Sequence, residues 1–153
     1  MNIAFIGYGQ VGGPLADRLQ RLGHTVTLAA ADAGSDSVKK ALARNPQLQV
    51  ALPKDAVSGA EVVFLATPFA ANADAVQAVA EELVGKILVD CTNPVGPNLS
   101  HGLRSEQSGS EWLQQLAPHT QVIKAFTIYG FENFEDSTYP AYSVKPVMMF
   151  CGE

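Results

Sequence analysis

Three glycines, Gly7, Gly9 and Gly12, stand in G-x-G-x-x-G spacing directly behind an apolar run, Asn2-Ile3-Ala4-Phe5-Ile6. The run is short enough for a buried parallel strand. Val11, Leu15, Leu19 and Leu22 then recur at helical spacing, so the glycines fall on a strand-to-helix turn. This order restricts the fold more than any other stretch, because each glycine answers a separate steric demand. Gly7 permits the tight turn out of the strand, Gly9 lets the backbone come close to a pyrophosphate, and Gly12 lets the helix pack closely on the sheet. Phosphates on such a turn meet a helix N-terminus, where unpaired N–H groups and the helix dipole favour negative charge. Gly7, Tyr8, Gly9, Gln10, Val11 and Gly12 are therefore the expected dinucleotide-binding loop.

The first helix ends at Gly23-His24, and Thr25–Ala29 reads as the second strand. Asp32 follows Gly12 by about 20 residues, where an acidic side chain accepts from the adenosine ribose hydroxyls. An ordinary turn or capping Asp is the alternative. Ala31, Asp32 and Ser35 are the candidate adenosine-side residues. The charge of Asp32 disfavours a 2′-phosphate, whereas Ser35, Lys39 and Lys40 favour one, so the choice between NAD and NADP stays open. Residues 36–44 read as a short helix stopped by Asn45-Pro46, residues 49–51 as a weak strand, and Pro53 as the opening of another short helix. A strand over 61–66 ends in Thr67-Pro68. A helix over 73–84 follows, with Val76, Val79, Ala80 and Leu83 on one face. Residues 87–89 form a further strand with Asp90-Cys91-Thr92-Asn93-Pro94 at its tip. A polar loop over 96–109, a helix over 110–116 and strands over 121–126 and 146–150 complete the chain.

Strands alternating with helices predict an α/β, Rossmann-type, doubly wound and mainly parallel sheet in three layers, built as a single domain over 1–153. In such sheets ligands bind beyond the carboxyl ends of the strands. That rule places adenosine towards Asp32 and nicotinamide towards Thr67, Pro68, Asn93 and Pro94. Thr67 and Pro68 face the nicotinamide ribose or form a plain turn. Asn93 is the best partner for a carboxamide, with a turn Asn before proline as the other reading. Lys124 lies in apolar surroundings, so its head is expected to reach a particular partner or the rim.

Composition narrows the function classes. With 47% hydrophobic and 16% charged residues among 153, the chain is globular rather than disordered. A net charge of −5, with no basic cluster beyond Lys39-Lys40, argues against a nucleic-acid partner. No apolar run is long enough to cross a bilayer and no leader precedes Asn2, so the expectation is a cytoplasmic protein. Cys91 and Cys151 form no C-x-x-C and are expected to be buried, reduced thiols. His24, His101 and His119 stand far apart, so no metal is assigned. Ser100-His101 lacks a G-x-S-x-G elbow and supports no hydrolase.

Four ordered motifs together resemble the NADP-dependent oxidoreductases that use coenzyme F-420, an 8-hydroxy-5-deazaflavin. They are Gly7–Gly12, Asp90-Cys91-Thr92-Asn93-Pro94, Glu111-Trp112-Leu113 and Val122-Ile123-Lys124-Ala125-Phe126. The resemblance implies a Rossmann domain and hydride exchange between a nicotinamide and a deazaflavin, or a small-molecule substrate in divergent members. It assigns no catalytic acid or base, because two flat cofactors need orientation and exclusion of water more than proton transfer. Where the family carries a Ser/Thr-Arg pair for the 2′-phosphate, this chain has Ala31-Asp32, which raises NAD beside NADP. Thr127 replaces the family's Asn after Lys-Ala-Phe. Family members usually continue for several dozen residues beyond the equivalent of Glu153, which leaves room for a longer chain or for a homodimer in which one subunit closes the other's cleft. A non-catalytic, redox-sensing dinucleotide-binding module is the alternative function.

Overall fold

In the computed structural model, which describes residues 1–139, 141–142 and 146–152, the first strand sends its side chains alternately into two apolar layers. This strand, β1 (Asn2–Ile6), lies beside β2 (Thr25–Ala29) and β4 (Val62–Leu65), with Ile3 level with both Val26 and Val62. β3 (Gln49–Ala51), β5 (Ile87–Asp90), β6 (Gln121–Ala125) and β7 (Phe150–Cys151) extend the sheet to the order β3-β2-β1-β4-β5-β6-β7. All pairings are parallel except β6 with β7.

Two-residue periodicity decides the layers. Ile3, Phe5, Val26, Leu28 and Phe64 meet α1 (Gly12–Arg21), α2 (Asp36–Arg44) and the short α6 (Glu132–Glu135) through Leu15, Ala16, Val38, Ala41 and Phe134. Phe5 and Phe64 stack in this layer with ring centroids 4.6 Å apart. Ala4, Ile6, Val63, Leu65 and Leu88 face the opposite way. They pack on α3 (Pro53–Ser58), α4 (Asn72–Gln77) and its extension, and α5 (Gly109–Leu116) through Val57, Val76, Val79, Leu83 and Leu113. Helices thus cover both faces of a mainly parallel sheet, the expected three-layer Rossmann-type architecture.

Several boundaries differ from expectation. The helix expected over 73–84 is regular only to Gln77. Beyond it, bonds such as Val79 N–H to Val76 C=O and Ala80 N–H to Gln77 C=O close tighter turns, yet Val76, Val79 and Leu83 stay fully buried. The last strand is not 146–150. Pro146 has no N–H to donate, and among the described residues of this segment Phe150 and Cys151 are the ones paired, opposite Ala125 and Lys124. β6 stops at Ala125 because Phe126 takes φ +61°, breaking the ladder. The aromatic, acidic stretch after β6 holds α6, whose Phe134 folds back edge-on against Phe126, while Phe131 and Tyr142 stay exposed. Cys91 is buried as expected, but Cys151 is exposed on the edge strand.

Candidate functional site

The chain leaves β1 towards β2 and later returns to the other side of β1 as β4, so the strand order reverses between β1 and β4. A crevice opens at such a point beyond the carboxyl ends. Gly7 leaves β1 with φ +100°, and a Cβ there would lie 2.6 Å from the Ala66 carbonyl oxygen at the end of β4. A Cβ at Gly12 would overlap the Gly7 carbonyl oxygen and sit 3.1 Å from the Ala66 methyl. Two glycines therefore let the turn and the first helix lie directly on the sheet. Gly9 differs: a Cβ there would meet nothing within 4 Å, so its backbone borders open space. Behind it, α1 begins at Gly12 with no capping side chain and no acidic residue in its first turn. Exposed backbone and an uncapped, uncharged helix start fit an anionic pyrophosphate.

The remaining expected residues spread along this rim. Gln10 is exposed and Val11 half-buried, both on the turn. The Tyr8 ring lies over Gly13, and its hydroxyl donates to Asp17 on α1, so its side chain is committed to helix packing rather than to the loop's outer face. Burial and the Asp17 carboxylate hold the Tyr8 hydroxyl well above its ordinary pKa. At the end of β2, Ala31 and Asp32 are exposed, and Asp32 Oδ1 accepts the Gly34 N–H at 2.8 Å in a local turn. Ser35 caps α2 by accepting from Val38 N–H. Lys39 pairs with Asp36 at 3.7 Å across an exposed helix face. Pro68 and Asn93 are exposed and Pro94 is half-buried, and the Asn93 carbonyl accepts from Val95 N–H at 2.7 Å.

Between these landmarks runs a polar chain that the spacing of motifs did not reveal. Asp90, at the end of β5, and Asn72, at the start of α4, are both fully buried. Lys124 on β6 reaches Asp90 Oδ2 at 2.9 Å and also donates to the Thr92 carbonyl, the particular partner expected for it. Ser110 and Thr92 donate to the same carboxylate, and Asn72 links Thr92 to Thr67. A buried carboxylate is tolerable only with this degree of pairing. The one available signal was an aspartate closing an otherwise apolar strand, Ile87-Leu88-Val89-Asp90. Its neighbour Cys91 is buried, and burial together with the Asp90 charge pushes its thiol up to about 12, away from the thiolate form. His101 accepts the Leu103 and Ser105 N–H groups at Nδ1, which makes it the organiser of its own loop. Among the described residues no cluster of His, Cys, Asp and Glu could hold a metal ion.

The model of one protein family, described as NADP oxidoreductase coenzyme F420-dependent, matches residues 2–94. The chain belongs to this family. Metalloreductase STEAP3 of Rattus norvegicus is 35% identical over 128 residues, covering 83% of this chain and 24% of that protein. A crystal structure from Arthrobacter sp., described as a candidate F420-dependent NADP-reductase, shares 32% identity and a TM-score of 0.77 over 87% of this chain and 65% of its own. A hypothetical protein of Sinorhizobium meliloti shares 26% identity and a TM-score of 0.82 over 99% of this chain and 73% of its own. The chain thus spans about a quarter of the mammalian relative and about two thirds of the Arthrobacter protein. The family match contains the glycine turn, Asp32, Thr67 and Asn93, while Lys124 and Phe126 lie beyond it. Among the described residues no helix is long and apolar enough to cross a membrane.

Proposed function

We propose that the chain binds NAD(P) across the carboxyl rim of its sheet and serves hydride exchange between the nicotinamide and a second, flat acceptor of the deazaflavin class. The observation that carries this reading is the glycine turn at the strand-order reversal, closed against the sheet by Gly7 and Gly12 and open to solvent over Gly9. Bound NAD(P) supplies the hydride donor or acceptor. This chain's own residues bind and orient. The Gly7–Gly12 amides and the start of α1 hold the pyrophosphate, with Tyr8, Gln10 and Val11 contributing main chain. Ala31, Asp32 and Ser35 border the adenosine ribose, and Thr67, Pro68, Asn93 and Pro94 border the nicotinamide half. No catalytic acid or base is assigned.

The family supports NADP, whereas the exposed Asp32 carboxylate, at the spacing expected of a ribose ligand, supports NAD. A homodimer completing the second-ligand cleft and a cytoplasmic setting belong to the same proposal. A non-catalytic module gains no support from the relatives, two of which carry reductase names. The test is oxidation of NADPH and NADH, followed by absorbance, with a deazaflavin, a flavin or ferric chelate as acceptor. Turnover with the deazaflavin is expected. Turnover only with the ferric chelate would move the acceptor to the metalloreductase class, and binding without any turnover would favour the module.

A further inference from the structure

An ionised carboxylate only accepts, so the buried Asp90 fixes the direction of each hydrogen bond leading away from it. Its Oδ1 takes the Thr92 N–H at 2.9 Å and the Thr92 hydroxyl at 2.7 Å. Its Oδ2 takes the Lys124 ammonium at 2.9 Å and the Ser110 hydroxyl at 3.0 Å. With its single proton committed to Asp90, Thr92 Oγ1 can only accept from its next neighbour. Asn72 must therefore present its NH2 there, at 2.8 Å, which turns its carbonyl oxygen towards Thr67. Thr67 donates its own proton to that oxygen at 2.8 Å. What remains on Thr67 Oγ1 is acceptor capacity alone. Thr67 is half-buried on the rim, and its main-chain nitrogen lies against Gly7, at 3.0 Å from where a Cβ would stand. The backbone that carries this hydroxyl therefore adjoins the dinucleotide turn.

We propose that the Asp90–Lys124 pair, acting through Thr92 and Asn72, makes Thr67 an obligate acceptor that selects a hydroxyl or N–H donor on the nicotinamide half of the ligand. Asp90, Thr92 and Asn72 are positioning residues, and of these four network members Thr67 is the one that touches ligand. The inference rests on the NAD(P) reading of the rim. It differs from a purely structural role, in which the chain merely ties the β4–α4 turn to β5, because it gives that tie a consequence for one half of the ligand.

The experiment compares the wild type with Thr67→Val, Thr67→Ser, Thr92→Val and the Thr67→Val/Thr92→Val double variant by calorimetric titration. Two probes are used: NADPH, and adenosine 2′,5′-bisphosphate, which lacks the nicotinamide and its ribose. For an NADH-selective protein the pair becomes NADH and ADP. Thr67→Val is expected to weaken the dinucleotide about 3- to 10-fold, the size of one net hydrogen bond, and to leave the adenosine probe unchanged. Thr67→Ser should retain affinity. Thr92→Val should reproduce part of the loss in the wild type and add nothing in the Thr67→Val background, the mark of two residues acting as one. Equal losses for both probes, additive losses, or no loss on Thr67→Val would overturn the proposal. Should Thr92→Val fail to fold, Thr92→Ala takes its place in the same cycle, with the same non-additive loss expected and an additive one overturning the proposal. A wild type that binds neither probe would instead overturn the underlying reading of the site.

Discussion

At the scale of single residues, the three glycines of the turn are not equivalent, and substitution separates fold from binding. Gly9→Ala places a methyl in open space, so thermal stability should stay near that of the wild type while dinucleotide affinity falls at least about tenfold through loss of close approach. Gly12→Ala drives a methyl into the Gly7 carbonyl oxygen, which should cost about 1–3 kcal/mol or more and lower the melting temperature accordingly. Paired melting curves and titrations check both. The cysteines separate as cleanly. A thiol reagent at neutral pH should modify the exposed Cys151 and leave the buried Cys91, held up to about 12, untouched until the protein unfolds. Mass spectrometry with and without denaturant reads this directly. The tight packing at Gly7 and Gly12 was legible in the sequence because each follows from a local steric demand. The orientation of Tyr8 was not, because it depends on Asp17 and Arg44, brought together by the packing of α1 on α2.

At the scale of elements, the polar chain ties β4, α4, β5, α5 and β6 around one buried charge. Lys124→Met removes the only cation at Asp90 among the described residues, leaving a carboxylate with no exposed surface and no opposite charge. The expected cost is roughly 3 kcal/mol. In a chain of this length that lowers the melting temperature by about 6–12 °C. Lys124→Met/Asp90→Leu should recover part of the loss, because the stranded charge is gone. The order of strands and helices was readable from short apolar runs at β1 and β4, helical spacing in α1, and the Gly and Pro stops between them. The ends were not. The extension of α4 and the brevity of β7 are set by tertiary contacts, Leu83 sinking into one layer and two residues pairing with β6. The Asp90 network escaped for the same reason: its parts, at 67–72, 90–92, 110 and 124, are far apart in sequence and meet only after the sheet forms.

At the scale of the whole molecule, a surface network fastens the helices of one layer to each other. Arg44 on α2 bonds Asp17 on α1 at 2.8 Å and Glu135 on α6 at 2.8 Å, and Asn45 adds a further donor to Asp17. Burial pushes the Asp17 carboxyl up, but the bonds from Tyr8, Arg44 and Asn45 outweigh it and hold the group below its ordinary 3.8. Because the unfolded chain binds this proton more readily, the network's contribution is complete above about pH 4 and is lost as pH falls through the lowered value. Chemical denaturation between pH 7 and pH 2 should therefore show stability declining below about pH 4. Asp17→Asn should flatten that decline while lowering stability at neutral pH.

Everything proposed for this chain depends on a nicotinamide dinucleotide binding at the rim over Gly7–Gly12. The most direct test is a calorimetric titration of the wild type with NADPH and NADH, side by side at equal protein concentration, repeated on Gly9→Ala. Saturable one-to-one binding of at least one dinucleotide, weakened at least about tenfold in a normally folded Gly9→Ala protein, is the predicted result. A preference for NADH would place Asp32 on the ribose hydroxyls, and a preference for NADPH would assign the 2′-phosphate to Ser35, Lys39 or Lys40. Binding of neither by the wild type, or equal binding by Gly9→Ala, would leave the glycine motif as a turn that packs a helix on a sheet.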